Sequence, residues 1–247
     1  MIDYLKEEKR LNLVALFGFF SWLMLGTLFF MIPLYVIGPK ISGLSFLEYS
    51  SNFDLLLQHN YYPNAIANIF AIFVFIILFY QTIKLDIINF KQKWIKCVLV
   101  IIIGTIVLYA SSYLMNNIYS LLGFSEDETS SNQQIIVKSL NSPAKYMVIF
   151  FTVILAPIFE EIIFRKLFYN SLRMNTKLPV WAIVLIISTV FAGIHVITDI
   201  ESLVFFPQYF VLALIITGAY AMTKENIFVS IGLHFANNVI AVLEILL

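Results

Sequence analysis

Residues 156–165 read APIFEEIIFR and place two adjacent glutamates and one arginine inside a long apolar segment. On insertion scales, a charged side chain at the centre of a bilayer-spanning helix costs about 2.5 to 3.5 kcal/mol. Ionisable residues within the membrane usually face the interior of a helix bundle and mark a functional site. We therefore expect other segments of the chain to bring polar partners to Glu160, Glu161 and Arg165.

The composition of the chain is that of an integral membrane protein. Apolar residues make up 61% of the 247 residues and charged residues 12%, about half the roughly 25% that is typical of soluble domains. Only helices and closed barrels satisfy their backbone hydrogen bonds in lipid, so apolar runs of helical length predict an all-α, polytopic membrane helix bundle. The net charge of zero gives no indication of a nucleic-acid partner.

Seven apolar runs predict about seven spanning helices, because each has close to the roughly 20 residues that a helix needs to cross a bilayer. They cover residues 11–38, 65–83, 97–122, 143–172, 180–196, 203–222 and 227–247. An interfacial segment, a basic loop and a hydrophilic loop are predicted at residues 39–62, 84–96 and 123–142. We divide the chain into an N-terminal part with helices one to three, residues 1–142, and a core with helices four to seven, residues 143–247.

The distribution of basic residues predicts that the N-terminus is cytoplasmic. If the seven spans alternate, 12 of the 15 Lys and Arg residues lie on the side of the N-terminus, and Lys40, Lys138 and Lys145 lie on the other side. Positive residues are enriched on the cytoplasmic side, so this asymmetry favours an N-in orientation. Arg165 and Lys166 suggest that the cytoplasmic boundary of helix four is close to them, whereas the apolar start of helix five suggests that it is further away, and snorkelling of the basic side chains could reconcile the two.

Three predicted helices carry polar groups at a similar depth. Helix four carries the two glutamates, helix five carries His195, and helix seven carries His234 and Asn238. Glu161 and Arg165 are four residues apart and share a helix face, which predicts an ion pair that braces the helix. Glu160 points about 100° away from Glu161 around the helix, so we expect it to have different partners.

This set of side chains has the chemistry of an amide hydrolase. A glutamate shielded from water can act as a general base near neutral pH, and with His195 it can hold and deprotonate a water molecule. His234 and Asn238 can donate hydrogen bonds to a developing oxyanion. The sequence has neither a GxSxG nor an HExxH motif. A zinc ion bound by Glu160, His195 and His234 remains an alternative, in which a different base is needed.

The motifs Glu160-Glu161-x3-Arg165, Phe191-x3-His195 and His234-x3-Asn238 resemble those of the CAAX protease and bacteriocin-processing (CPBP, or Abi) family of intramembrane proteases. The resemblance covers about residues 143–247. It implies that Glu160 and His195 activate a water molecule and that His234 and Asn238 stabilise the oxyanion, with support from Glu161, Arg165 and Phe191. The usual family motif has a glycine after the arginine, where this chain has Lys166.

The apolar runs and the composition rich in Ile, Asn, Lys and Phe predict a multi-pass protein of a bacterial cytoplasmic membrane, and the absence of a metal-binding motif predicts that it needs no cofactor. Its partners would be the lipid bilayer and a hydrophobic peptide or membrane-protein substrate, with a role in bacteriocin immunity or peptide maturation. A non-catalytic membrane scaffold or regulator of the same fold is the main alternative. A proton relay or small transporter is a further one, although no internal repeat of the kind found in many transporters is visible.

Overall fold

The computed structural model describes residues 2–125, 128–197 and 199–247, and every regular element within these ranges is helical. The predicted all-α membrane bundle is therefore confirmed. The helices are α1 (Ile2–Ser42), α2 (Phe46–Ser51), α3 (Phe53–Leu78), α4 (Tyr80–Gln92), α5 (Trp94–Leu121), α6 (Ser131–Leu140), α7 (Lys145–Asn175), α8 (Val180–Val196), α9 (Phe206–Met222) and α10 (Ile227–Leu246).

Five helical segments among the described residues are long and apolar enough to cross a membrane. They are Asp54–Leu78, Trp94–Leu121, Lys145–Asn175, Glu201–Met222 and Ile227–Leu246. Two further apolar helical segments, Leu11–Trp22 and Val180–Val196, are shorter. All seven overlap the predicted spans. Five spanning segments suffice to make this a multi-pass membrane protein, whereas the number seven and the N-in orientation stay predictions.

Two segments that we predicted as loops contain helices. The basic segment 84–96 belongs mostly to α4, whose Asp86 is buried, and the hydrophilic segment 123–142 contains α6. Their many charged and polar residues suggested loops, but α6 has a clear start signal: the hydroxyl of Ser130 accepts a hydrogen bond from the backbone N–H of Gln133. The predicted interfacial segment 39–62 is also largely helical.

The helix that carries the two glutamates, α7, departs from regular α-helical geometry on both sides of them. Two π-helical segments, Phe151–Leu155 and Ile162–Tyr169, flank the α-helical turn Ala156–Glu161. Pro157 opens this turn, and because proline has no backbone N–H it cannot continue the ladder of hydrogen bonds from the preceding segment. Short π-helical insertions occur frequently at functional sites.

The apolar side chains divide the bundle into a closed half and an open half. In the closed half, residues of α1, α3, α7, α8 and α9 form the largest hydrophobic cluster, which includes Phe19, Phe75, Phe164 and Tyr220. In the open half, the end of α5 packs against the start of α9, whereas the end of α10 packs against α6 and α7. The helices α5 and α10 therefore cross in the closed half and have different neighbours beyond the crossing.

The turn between α1 and α2 depends on a close approach of Gly38 to a fully buried tyrosine. A Cβ atom at Gly38 would lie 2.3 Å from Cζ of Tyr49. The ring of Tyr49 cannot move easily, because its hydroxyl is 2.8 Å from Nδ1 of His59 and the two rings are stacked.

We expect Gly38→Ala to lower the melting temperature of the detergent-solubilised protein, because overpacking of this kind costs about 1–3 kcal/mol. Gly18→Ala in the same helix is the matched control, since a Cβ there meets nothing within 4 Å. The control should melt at or above the temperature of the wild type, because alanine is the better helix former. Equal melting temperatures for the two variants would contradict the prediction.

Candidate active site

Glu161 and Arg165 form the ion pair that their spacing predicts. The distance between Nη1 of Arg165 and Oε1 of Glu161 is 2.8 Å, and both side chains are completely buried. The guanidinium carbon of Arg165 also lies 4.9 Å from the ring centroid of Phe191 in α8. A cation over an aromatic face gains about 2 kcal/mol when both groups are desolvated, so Phe191 adds to the stability of the buried arginine.

The carboxylate of Glu161 has a second partner that the sequence did not reveal. Its Oε1 lies 2.9 Å from Nδ1 of His234 in α10. Because a carboxylate accepts hydrogen bonds, Nδ1 of His234 is the donor, and the other ring nitrogen, Nε2, is left for the cavity. Spacing within α7 could not predict this contact, which joins residues 73 positions apart.

Glu160 lies between the two histidines, as its separate position on the helix suggested. Its Oε2 is 3.8 Å from Nε2 of His195 and 3.8 Å from Nε2 of His234. Both separations exceed a direct hydrogen bond, so neither ring nitrogen is hydrogen-bonded to Oε2 in this arrangement. Among the residues that the structure describes, none hydrogen-bonds this shielded oxygen.

The ring of His195 is fixed in orientation by three contacts, two with Phe191 and one with Tyr209. Its Nδ1 lies 2.8 Å from the carbonyl oxygen of Phe191, which can only accept, so Nδ1 carries the proton in the neutral ring. The unprotonated Nε2 therefore faces Glu160. The ring stacks on Phe191 at 4.3 Å and on Tyr209 at 4.9 Å, measured between centroids. No sequence pattern pointed to Tyr209, because an aromatic residue in an apolar helix is ordinary.

Asn238 is held by the carbonyl group that Pro157 leaves without a backbone partner. The backbone N–H of Ala156 donates to the carbonyl of Phe151 in the π-helical pattern. The next bond of that pattern would run from residue 157 to Thr152, but proline has no N–H to donate. Instead, Nδ2 of Asn238 donates to the carbonyl oxygen of Thr152 over 2.8 Å. A proline four residues before a motif carboxylate is the signal that could have indicated this contact.

Lys166 is buried and paired with a residue of another helix. Its Nζ lies 2.6 Å from Oδ2 of Asp86 in α4 and 3.2 Å from the carbonyl oxygen of Glu225. Burial raises the pKa of the Asp86 carboxyl group, and Lys166 partly offsets that effect. Arg165 and Lys166 are both paired inside the bundle, so their charges do not by themselves locate the cytoplasmic boundary, whose position stays a prediction.

A cavity of about 1110 Å³ joins the candidate residues. Its lining contains the four predicted catalytic residues, Glu160, His195, His234 and Asn238, together with Phe191 and Tyr209. Within the described part of the chain, no group of three His, Cys, Asp or Glu side chains has the arrangement of a metal site. We therefore derive no chemical step through a metal ion. A site that needs no zinc stays a prediction, with a zinc-dependent site as its alternative.

Residues 142–240 match a family model described as Type II CAAX prenyl endopeptidase Rce1-like. The chain carries an Rce1-like domain. The match confirms the resemblance to the CAAX protease family, and the Rce1-like domain contains every candidate residue from Glu160 to Asn238. Comparisons with curated proteins and with solved structures gave no match.

The helices that precede the Rce1-like domain pack directly against it. Phe19 of α1 contacts Phe75 of α3 and Phe159 of α7, with ring centroids 6.1 and 6.3 Å away. Phe159 directly precedes Glu160 in sequence, and all three rings belong to the largest hydrophobic cluster. The N-terminal helices therefore help to hold α7, although the family match begins only at residue 142.

We expect Arg165→Met to destabilise the protein by about 3–5 kcal/mol, because it leaves the buried carboxylate of Glu161 without its cation. The control is Lys138→Met, which removes the exposed pair with Asp54 and should cost less than about 1 kcal/mol. Unfolding in detergent titrated with sodium dodecyl sulfate measures both. A loss for Arg165→Met no larger than that of the control would contradict the prediction.

Proposed function

We propose that this protein is an intramembrane endopeptidase that hydrolyses a peptide bond of a small hydrophobic peptide or peptide precursor. The observation that carries the proposal is the position of Oε2 of Glu160, 3.8 Å from a ring nitrogen of each of two histidines, in a large cavity within the bundle. The Rce1-like domain supports the same reaction class, because the matching family is one of endopeptidases.

Glu160 and His195 are suited to bind the attacking water. The carboxylate of Glu160 and the unprotonated Nε2 of neutral His195 are both hydrogen-bond acceptors that face each other. A water molecule between them donates one hydrogen to each and directs a lone pair into the cavity. As the water oxygen bonds to the peptide carbonyl carbon, Glu160 takes a proton from the water. The carbonyl π electrons move to the carbonyl oxygen. Glu160 then gives the proton to the peptide nitrogen as the oxyanion reforms the C=O bond and the C–N bonding pair leaves with that nitrogen.

Asn238 and His234 are suited to stabilise the oxyanion. Nδ2 of Asn238 uses one N–H for the carbonyl of Thr152, and an amide group has a second N–H for a substrate oxygen. The Nδ1–H of His234 donates to Glu161, so Nε2 becomes a donor when the ring is protonated. Each such donor contributes about 10²–10³-fold to the rate in known hydrolases.

The biological setting of the proposal rests on the motifs. In a bacterial cytoplasmic membrane, this reaction would serve bacteriocin immunity or the maturation of a secreted peptide. The polar lining of the cavity supports a peptide as substrate, because an extended peptide needs hydrogen-bond partners at membrane depth.

We expect Glu160→Gln to reduce processing of the substrate by at least about 100-fold, since general acid–base catalysis contributes roughly 10²–10⁴-fold. Quantitative mass spectrometry of the peptides released by cells with wild-type and variant protein measures the loss and identifies the substrate. The control is Glu244→Gln, an exposed glutamate that lines the same cavity and should have little effect. Unchanged processing by folded Glu160→Gln protein would favour the non-catalytic scaffold.

We expect hydrolysis to continue after treatment with a metal chelator. The experiment uses purified membrane vesicles and the peptide that the mass-spectrometric comparison identifies. Loss of activity with the chelator and its recovery on addition of Zn²⁺ would instead favour zinc bound by Glu160, His195 and His234.

A further inference from the structure

The cavity of the candidate site extends from Glu160 toward one end of the bundle only. Its lining on α5 begins at Thr105 and continues to the end of that helix, and its lining on α10 begins at His234. On α7 it runs from Phe151 to Glu160 and then stops, and residues 161–190 contribute nothing to the described lining. Glu160 is therefore at the inner end of the cavity.

The other direction is closed by packed helices. The helices α5 and α10 cross where Gly104 faces Leu233 and Gly232 faces Ile101, so closely that a Cβ at either glycine would lie within 3 Å of the opposite side chain. Leu233 is fully buried there, and so are Val229 and Ile216 of the same hydrophobic cluster. Glu161, Arg165 and Lys166 lie on the closed side of Glu160 and are completely or almost completely buried.

Beyond this crossing, α6 covers part of the cavity and bridges its two walls. At the start of α6, Ser131 hydrogen-bonds Asp199 and Ser202 of the segment before α9, and Ser130 hydrogen-bonds Tyr209. At its end, Leu140 packs in one cluster with Val242 of α10. The open end of the cavity is thus the end that carries α6.

The basic residues lie predominantly at the opposite end. Four segments lie at that end: the start of α1, the region from α4 to the start of α5, the turn between α7 and α8, and the turn between α9 and α10. These segments contain ten of the 15 Lys and Arg residues, and Arg165 and Lys166 are buried between the ends. The end with α6 has Lys40, Lys138 and Lys145. Positive residues mark the cytoplasmic side, so the cavity opens away from the cytoplasm.

The lining near the open end is suited to the backbone of an extended peptide. Hydroxyl and amide side chains project from two walls and from the cover, among them Ser112, Asn116, Asn132, Gln133 and Gln208. At membrane depth, an extended segment has no water for its N–H and C=O groups, so side chains must satisfy them. Neutral donors and acceptors on several helices meet that need.

We infer that the protein takes its substrate from the non-cytoplasmic side of the membrane, as an extended peptide segment that enters between α5, α6 and α10. The inference rests on the proposed peptidase function for the nature of the substrate. The side of access, in contrast, follows from the cavity and the basic residues alone, and it can be tested without any catalytic activity.

Single-cysteine variants test the side of access, because the chain has one cysteine, Cys97, which is buried and is first replaced by alanine. In that background, Asn116→Cys and Asn132→Cys report on the cavity from two different helices. Lys177→Cys, an exposed position in the turn between α7 and α8, reports on the opposite end. Each variant is treated with a membrane-impermeant maleimide in right-side-out and in inside-out membrane vesicles.

The cavity cysteines should react in right-side-out vesicles and be protected in inside-out vesicles, whereas Lys177→Cys should show the reverse. Reaction of both cavity cysteines from the cytoplasmic side, or reaction of neither from either side, would overturn the inference. Repeating the labelling in Glu160→Gln protein separates the two proposals. The expected pattern together with unchanged processing would overturn the peptidase function alone, and a reversed pattern with processing lost would overturn the side of access alone.

Discussion

One buried carboxylate oxygen, Oε1 of Glu161, connects the helices on which the candidate site is built. It accepts hydrogen bonds from Arg165 in the same helix and from His234 in α10. Arg165 in turn lies against Phe191 of α8, whose carbonyl oxygen fixes His195. A buried charge is tolerated only when it is paired and hydrogen-bonded, so these contacts fix the rotation of three helices relative to one another. This rotation places Glu160 between the two histidines.

The backbone of α7 provides a second connection between the same helices. Pro157 removes one hydrogen bond from the helix, and the carbonyl of Thr152 that lacks this bond binds Asn238. Two polar residues of α10, one turn apart, are therefore both held by α7, one through a side chain and one through the main chain. A defect in helix geometry contributes directly to the arrangement of the site.

Local patterns in the sequence were sufficient for the fold class and for much of the candidate site. Runs of apolar residues gave the positions of the long helices, and the spacing of Glu161 and Arg165 gave their ion pair. Contacts between distant helices could not be predicted in this way, because helix periodicity reports only which residues share a face. For that reason the bond from Glu161 to His234 and the stacking of Tyr209 on His195 emerged only from the structure. The helices α4 and α6 were missed because charge and polarity are equally compatible with a loop and with a helix that lies at the end of a bundle.

Lys166 shows that the motif around the glutamates cannot be exchanged between related proteins by itself. The related motif usually has glycine at this position, whereas here Nζ of Lys166 neutralises Asp86, which lies 80 positions earlier and outside the Rce1-like domain. A chimaera that received the domain of a relative with glycine would keep the buried Asp86 and lose its cation. The smallest interchangeable unit of this protein therefore includes α4 as well as the helices that carry the site.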